Sequence, residues 1–150
     1  QTVQMQKVQE RMAPGVITRD GFLGEDRRPL GDILLADEAT VKALALDHPA
    51  VAARMIELRD AGAAGLGEFV DVGPNFEVRV DSVRGRLPCP FGDPGIFPKT
   101  NVTVRNRRTG REITFTDLHI HLVLAHGFYE GRGSPFRLEP KDLAEVLEIA

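Results

Sequence analysis

The sequence has few of the residues and segments that mark specialised protein classes. It contains one cysteine, Cys89, and no tryptophan. A single thiol cannot form an internal disulfide bond, which is consistent with a reducing compartment. The first residues lack the apolar core of a signal peptide, and no stretch reaches the roughly 18 apolar residues of a membrane span. These absences predict a cytoplasmic protein that does not enter a membrane.

A strong charge of one sign is also absent. The formal net charge is −3, with 42% hydrophobic and 27% charged residues. These are ordinary values for a folded globular chain, and the length suits one core that excludes water. We predict a single domain over residues 16–150, preceded by a flexible or helical segment at 1–15. Residues 76–137 are the more basic part, but the charge is far from that of dedicated nucleic-acid-binding proteins.

The spacing of apolar residues predicts an α+β fold. Recurrence at every third or fourth position predicts helices at about 30–46, 49–62, 117–126 and 140–149. Alternating apolar residues around turn residues predict two hairpins, at about 68–83 and 100–116. The order of helices, strands and helices favours an antiparallel sheet with helices on one face. We expect the proline- and glycine-rich segment 84–99 to form a structured loop between the hairpins.

Three of the four histidines lie in the segment DLHIHLVLAH, residues 117–126. In a strand, His119 and His121 would point to the same face. In a helix they lie about 200° apart and cannot share a ligand. Thr116 is a suitable N-cap and Gly127 a suitable C-terminal stop, so the sequence favours a mostly buried helix.

Two families resemble parts of this region. The string Asp117-Leu118-His119-Ile120-His121 resembles the metal motif of the amidohydrolase superfamily, which implies a (β/α)₈ barrel of about 250 residues. This motif requires His119 and His121 on the same face, and in the predicted helix they lie on different faces. The segment 100–126 is similar to the strand–turn–strand–helix layout of a ββα zinc finger, and His121 and His126 fit its histidine spacing. The cysteine pair that this family carries on its hairpin is absent.

A closed zinc site is one candidate. Its metal ligands would be Cys89, His121 and His126, with Asp93 or His119 as the fourth, because thiolate and imidazole are common zinc donors. The alternative is that His121 is a hydrogen-bonded core residue and His126 interacts favourably with the helix C-terminus. A third hypothesis makes Cys89 a nucleophile with a neighbouring histidine as base. No cofactor other than zinc is indicated.

Arginines and glycines form the other candidate site. The tip of the second hairpin and the loop GFYEGRGSPFR, residues 127–137, offer guanidinium groups and backbone amides that suit phosphate or carboxylate. The candidate ligand-binding residues are Arg107, Arg108, Arg111, Arg132, Ser134 and Arg137. The alternative is that the first segment is only a solvated hairpin tip and the second is only a turn into the last helix.

These candidates leave two functional hypotheses. We expect a non-enzymatic binding module whose partner is an anionic ligand or macromolecule such as a nucleic acid. The alternative is a zinc-binding protein, or a small metal- or thiol-dependent enzyme, that uses Cys89 with His121 or His126. The sequence does not indicate an oligomeric state.

Overall fold

The computed structural model describes residues 1–149, which form helices around one antiparallel sheet. The helices are α1 (Val3–Arg11), α2 (Leu30–Ala43), α3 (His48–Gly62), α4 (Asp117–His126) and α5 (Pro140–Val146). The strands are β1 (Val70–Val72), β2 (Phe76–Pro88), β3 (Ile96–Asn106) and β4 (Arg111–Thr116). This arrangement confirms the predicted α+β class.

The strands are hydrogen-bonded in chain order, β1-β2-β3-β4, so each is joined to the next as a hairpin. The prediction of a loop at 84–99 is wrong for most of that segment, because β2 and β3 extend into it from both sides. Their register shifts between Val83 and Arg86, and Gly85 within this bulge has φ +115°. Residues 89–95 alone connect the two strands.

Helix α4 begins and ends at the residues that the sequence indicates. The Thr116 hydroxyl accepts the His119 N–H at 3.2 Å, and His119 Nδ1 accepts the Thr116 N–H at 3.0 Å, so the two residues cap each other. Gly127 ends the helix in the left-handed conformation with φ +60°. A Cβ atom there would lie 2.5 Å from His48 Nε2, so both the backbone and the packing require glycine.

Two apolar clusters lie on either side of α4. The first fills the space between the sheet and α3, α4 and α5, and its fully buried members include Met55, Leu58, Val104, Phe115 and Val123. The second packs α1 and α2 against the other side of α4, and its buried members include Met12, Ile33, Cys89, Leu122 and Phe128. Burial on both sides explains why α4 is apolar over most of its surface.

No helix within residues 1–149 has the length and apolar character needed to cross a membrane.

Candidate metal centre

The loop between β2 and β3 lies against the C-terminal half of α4 and brings four metal-ligand side chains together. The donor atoms of Cys89, Asp93, His121 and His126 all lie within 4.8 Å of one another. The Nε2 atoms of His121 and His126 lie 2.8 and 2.7 Å from Asp93 Oδ2. Cys89 Sγ lies 3.7 Å from His126 Nε2. The three predicted ligands therefore meet at one point, together with Asp93, one of the two candidates for the fourth.

Helix α4 presents its two histidines from different sides of the cluster. Five positions along a helix correspond to a rotation of about 140°. The planes of the His121 and His126 rings are nearly perpendicular, at 78°. Phe91 stacks on His126 with ring centroids 3.9 Å apart, and Phe97 lies 4.5 Å from the His121 ring. These aromatic contacts hold both imidazoles in place.

The distances are close to those of a tetrahedral zinc site. Zinc bonds of 2.0–2.3 Å place neighbouring donor atoms about 3.3–3.8 Å apart. The separation of 3.7 Å between Cys89 Sγ and His126 Nε2 lies in this range. The Asp93 carboxylate lies closer to the imidazoles than that and would have to move outward slightly. Its side chain is 34% exposed, which leaves room for this movement.

The turn of the loop places backbone N–H groups near the cysteine. In the turn formed by residues 89–93, the Gly92 N–H donates to the Cys89 carbonyl at 3.0 Å. Gly92 has φ +91°, a conformation that suits glycine. Burial raises the pKa of the Cys89 thiol, and the nearby backbone N–H groups of Phe91, Gly92 and Asp93 oppose that rise without reversing it. Backbone N–H groups near the ligands are common around metal sites.

Burial and charge act differently on the two acidic ligands. Cys89 is 3% exposed, and desolvation raises the pKa of its thiol in spite of the loop amides. Hydrogen bonds from His126 and then His121 hold the pKa of Asp93 below its ordinary value. The cluster thus contains a carboxylate and a thiol that is protonated in the absence of a cation. A buried, protonated thiol is a poor nucleophile, which weighs against the thiol-catalysis hypothesis.

The arginines of the β3–β4 turn are each paired with carboxylates. The pairs are Arg107 with Asp71 and Glu77, Arg108 with Glu148, and Arg111 with Asp142 and Glu145. An anionic ligand would have to compete with these intramolecular partners. Anion binding at this turn stays a prediction.

The candidate residues in the loop before α5 also have partners, with one exception. The Arg137 guanidinium donates to both oxygens of Asp37, at 2.8 and 3.0 Å. The Ser134 hydroxyl donates to Glu130 at 2.8 Å. Arg132 is exposed, and its guanidinium has no hydrogen-bond or ion-pair partner within residues 1–149. The loop therefore uses most of its polar groups to hold its own shape.

Sequence reasoning missed a buried pair at the other end of α4. His119 Nε2 lies 2.6 Å from Glu130 Oε2, and both residues are buried. The pair depends on the reversal of the chain after Gly127, which brings Glu130 back along the helix. No helical or strand periodicity links positions 119 and 130, so the sequence carries no direct signal for the contact.

In comparisons with known proteins, no protein-family model, curated protein or solved structure matches the chain.

Proposed function

We propose that this protein binds zinc through Cys89, Asp93, His121 and His126, and that the ion fastens the β2–β3 loop to α4. The observation that carries the proposal is the convergence of four donor atoms within 4.8 Å. Thiolate, imidazole and carboxylate are all zinc donors. Four protein donors complete a tetrahedron, which is the pattern of a structural site rather than a catalytic one.

The charge of the cluster supports the same proposal. A Cys89 thiolate and an Asp93 carboxylate together carry two negative charges, and the two imidazoles bind metal in their neutral form. A Zn²⁺ ion would make the complex neutral. Neutrality matters here because the His121 and His126 side chains are only 22% and 18% exposed and Cys89 is buried.

The position of the ligands indicates what the ion would do for the fold. Cys89 and Asp93 belong to the loop of the central hairpin, whereas the histidines lie on the helix that separates the two apolar clusters. An ion bound by both segments would restrain the hairpin end against the helix. Because a bound ion stabilises the folded state alone, its binding free energy adds to the stability of the fold.

The decisive experiment is metal analysis of protein produced without a metal-affinity tag. Inductively coupled plasma mass spectrometry should find one zinc ion per chain in the wild type. The Cys89→Ser and His126→Gln variants should lose it. His48→Gln is the matched control, because His48 lies outside the cluster and bonds to Tyr129. Wild-type protein that holds no zinc and takes up none on dialysis against zinc would overturn the proposal.

Cobalt substitution tests the donor set directly. Cobalt(II) bound at this site should show the intense visible bands of four-coordinate geometry and a thiolate-to-cobalt charge-transfer band. The charge-transfer band should disappear in Cys89→Ser. A six-coordinate spectrum without a thiolate band would show that the metal binds elsewhere.

A further inference from the structure

A groove runs across the N-terminal end of α4, on the part of the helix that lacks metal ligands. Two adjoining cavities of about 340 Å³ each form it, and they share Asn101, Thr116, His119 and Phe136. The walls of the first cavity are largely apolar and include Phe22, Leu87 and Leu118. Phe136 lies at the opening and is 51% exposed. A concave apolar surface with a few polar groups is the usual form of a small-molecule site.

The protons of the pair that lines this groove can be assigned from its hydrogen bonds. His119 Nδ1 accepts the Thr116 N–H, so the ring proton of the neutral imidazole lies on Nε2 and is donated to Glu130. Ser134 Oγ accepts the Phe136 N–H at 3.3 Å and donates its own proton to Glu130 Oε1 at 2.8 Å. Both oxygens of the Glu130 carboxylate therefore accept hydrogen bonds.

No lysine or arginine among residues 1–149 is paired with the Glu130 carboxylate. Arg137 donates to the Glu130 carbonyl at 2.6 Å, and the same guanidinium pairs with Asp37 and Glu139. Within residues 1–149, His119 is the only basic residue paired with the Glu130 carboxylate, and its other ring nitrogen, Nδ1, accepts the Thr116 N–H. Glu130 is 3% exposed, and a buried carboxylate without a compensating charge is energetically costly.

The backbone holds this carboxylate in the groove despite that cost. Glu130 has φ +70°, a left-handed conformation that is uncommon for glutamate. The next residue, Gly131, has no room for a Cβ, which would lie 2.3 Å from the Leu23 carbonyl oxygen. A charged side chain held at the base of a cavity by an unusual backbone is typical of a functional site.

The second cavity is lined by Glu112, which is exposed, and by Arg137, whose guanidinium pairs with Asp37 and Glu139. The other charges of the first cavity lie at its edge. Arg19 and Lys99 are exposed cations, and Asp20 is an exposed anion next to Arg19. Water screens these three groups, whereas the Glu130 carboxylate lies in a region of low dielectric. A ligand that reaches the base of the groove thus meets a negative charge with spare acceptor sites, since a carboxylate offers about four lone pairs.

We infer that this groove binds a small organic cation: a molecule that presents an ammonium group to Glu130 and an apolar body to Phe22, Leu118 and Phe136. The ammonium would donate to the carboxylate and balance its charge. The apolar body would cover the exposed face of Phe136. The inference is independent of zinc, because none of the metal ligands lines the groove.

Three matched probes test the charge that the groove selects. 2-Phenylethylamine, 2-phenylethanol and 3-phenylpropanoate have similar apolar bodies and differ in the polar group. We expect titrations followed by amide chemical shifts to give the lowest Kd for the amine, with shifts centred on residues 116–119 and 130–136. Tighter binding of the carboxylate, equal binding of amine and alcohol, or no binding of the amine would overturn the inference.

Variants locate the site. Glu130→Gln keeps the shape and removes the charge, so it should raise the Kd of the amine by at least about tenfold. Its binding of the alcohol should change little. Glu112→Gln is the control, because Glu112 lines the second cavity but is exposed and pairs with Arg105. An unchanged Kd in Glu130→Gln would contradict the inference.

Phe136→Ala provides a second test that does not disturb the buried pair. Phe136 is half exposed, so its replacement should leave the fold intact. We expect it to weaken the binding of the amine and the alcohol alike. Unchanged binding of both would show that the probes do not occupy the groove, even if Glu130→Gln fails to fold.

Discussion

The two ends of α4 use histidine and carboxylate in different ways. At the N-terminal end, each ring nitrogen of His119 has its own partner, the Thr116 N–H on one side and the Glu130 carboxylate on the other. At the C-terminal end, His121 and His126 direct their Nε2 atoms to the same oxygen of Asp93. Their Nδ1 atoms have no hydrogen-bond partner among residues 1–149, and both rings are partly exposed.

This difference shows that the arrangement of acceptors, rather than the residue type, indicates a metal site. Donors and acceptors match at the His119 end, so no metal ion is needed to hold His119 and Glu130 together. At the other end an oxygen, two nitrogens and a sulfur converge, and one cation can bind all four. Zinc should therefore change the behaviour of the C-terminal end of α4 and leave the N-terminal end as it is.

The largest expected effect is the stabilisation by zinc itself. At free zinc 1,000-fold above its Kd, linkage predicts a gain of about 4 kcal/mol in the free energy of unfolding. For a chain of this length that corresponds to about 8–16 °C in Tm. Differential scanning calorimetry of chelator-treated and zinc-loaded protein measures it. Equal melting temperatures of the two samples would contradict the proposal that zinc binds at the C-terminal end of α4.

Loss of the buried pair should have a smaller effect that does not depend on zinc. His119→Ala removes a hydrogen bond to a buried carboxylate and one half of the helix cap, which we expect to cost about 3 kcal/mol. Urea denaturation with and without zinc should give the same loss. His119→Gln, which can still donate to Glu130, should recover part of it. A loss that appears only with zinc would place His119 in the metal site.

Acidification should weaken the loop that carries Glu130. Asp26 accepts hydrogen bonds from the Arg28 side chain and from the Arg132 N–H. The contact with Arg28 holds the pKa of Asp26 below its ordinary 3.8, so the stability it adds is present above that pH and is lost as the pH falls through the folded-state pKa. Asp26→Asn should cost about 1–3 kcal/mol at pH 7.

The pH dependence distinguishes this effect from a simple loss of packing. The difference in stability between wild type and Asp26→Asn should shrink between pH 5 and pH 2, because Asp26 takes up a proton in the unfolded chain over this range while its folded-state pKa lies lower. Asp20→Asn is the control, because Asp20 is exposed and should give a difference near zero throughout. A constant difference across this range would contradict the role of the Asp26 charge.

Removal of His126 should cost little when zinc is absent. The ring contributes a partly exposed hydrogen bond to Asp93 and a stacking contact with Phe91, together worth about 1 kcal/mol. In excess zinc the same His126→Ala change should abolish most of the stabilisation by the ion. A large loss in chelator would mean that the ring is a structural residue and that the donor convergence is incidental.

Local sequence signals were sufficient for α4 but not for the central hairpin. Thr116 and Gly127 mark the two ends of the helix because each supplies a specific backbone requirement, a cap and a left-handed residue. The prolines and glycines of 84–99, in contrast, lead to a wrong prediction. They indicate a loop, but the bulge at Val83 and Arg86 allows both strands to continue through them.

The candidate site was partly predictable for a similar reason. Cys89, His121 and His126 stand out because cysteine and histidine are rare in this chain. Asp93 is one of 22 acidic residues, so the sequence could name it only as one of two alternatives. Glu130 acquires its partner through the chain reversal after Gly127. Contacts of that kind depend on tertiary packing, which residue spacing does not encode.

The smallest effect is expected at the β3–β4 turn, where the arginines already have partners. Replacing Arg107, Arg108 and Arg111 by alanine breaks exposed ion pairs that water screens, so the stability of the fold should change little. Any affinity for duplex DNA should weaken as salt is raised, and the triple variant should lose it. Fluorescence anisotropy at two salt concentrations measures the DNA affinity of the wild type and of the triple variant. DNA binding that survives the three changes would exclude this turn and leave the loop with Arg132, which lies apart from the metal ligands, as the anion site.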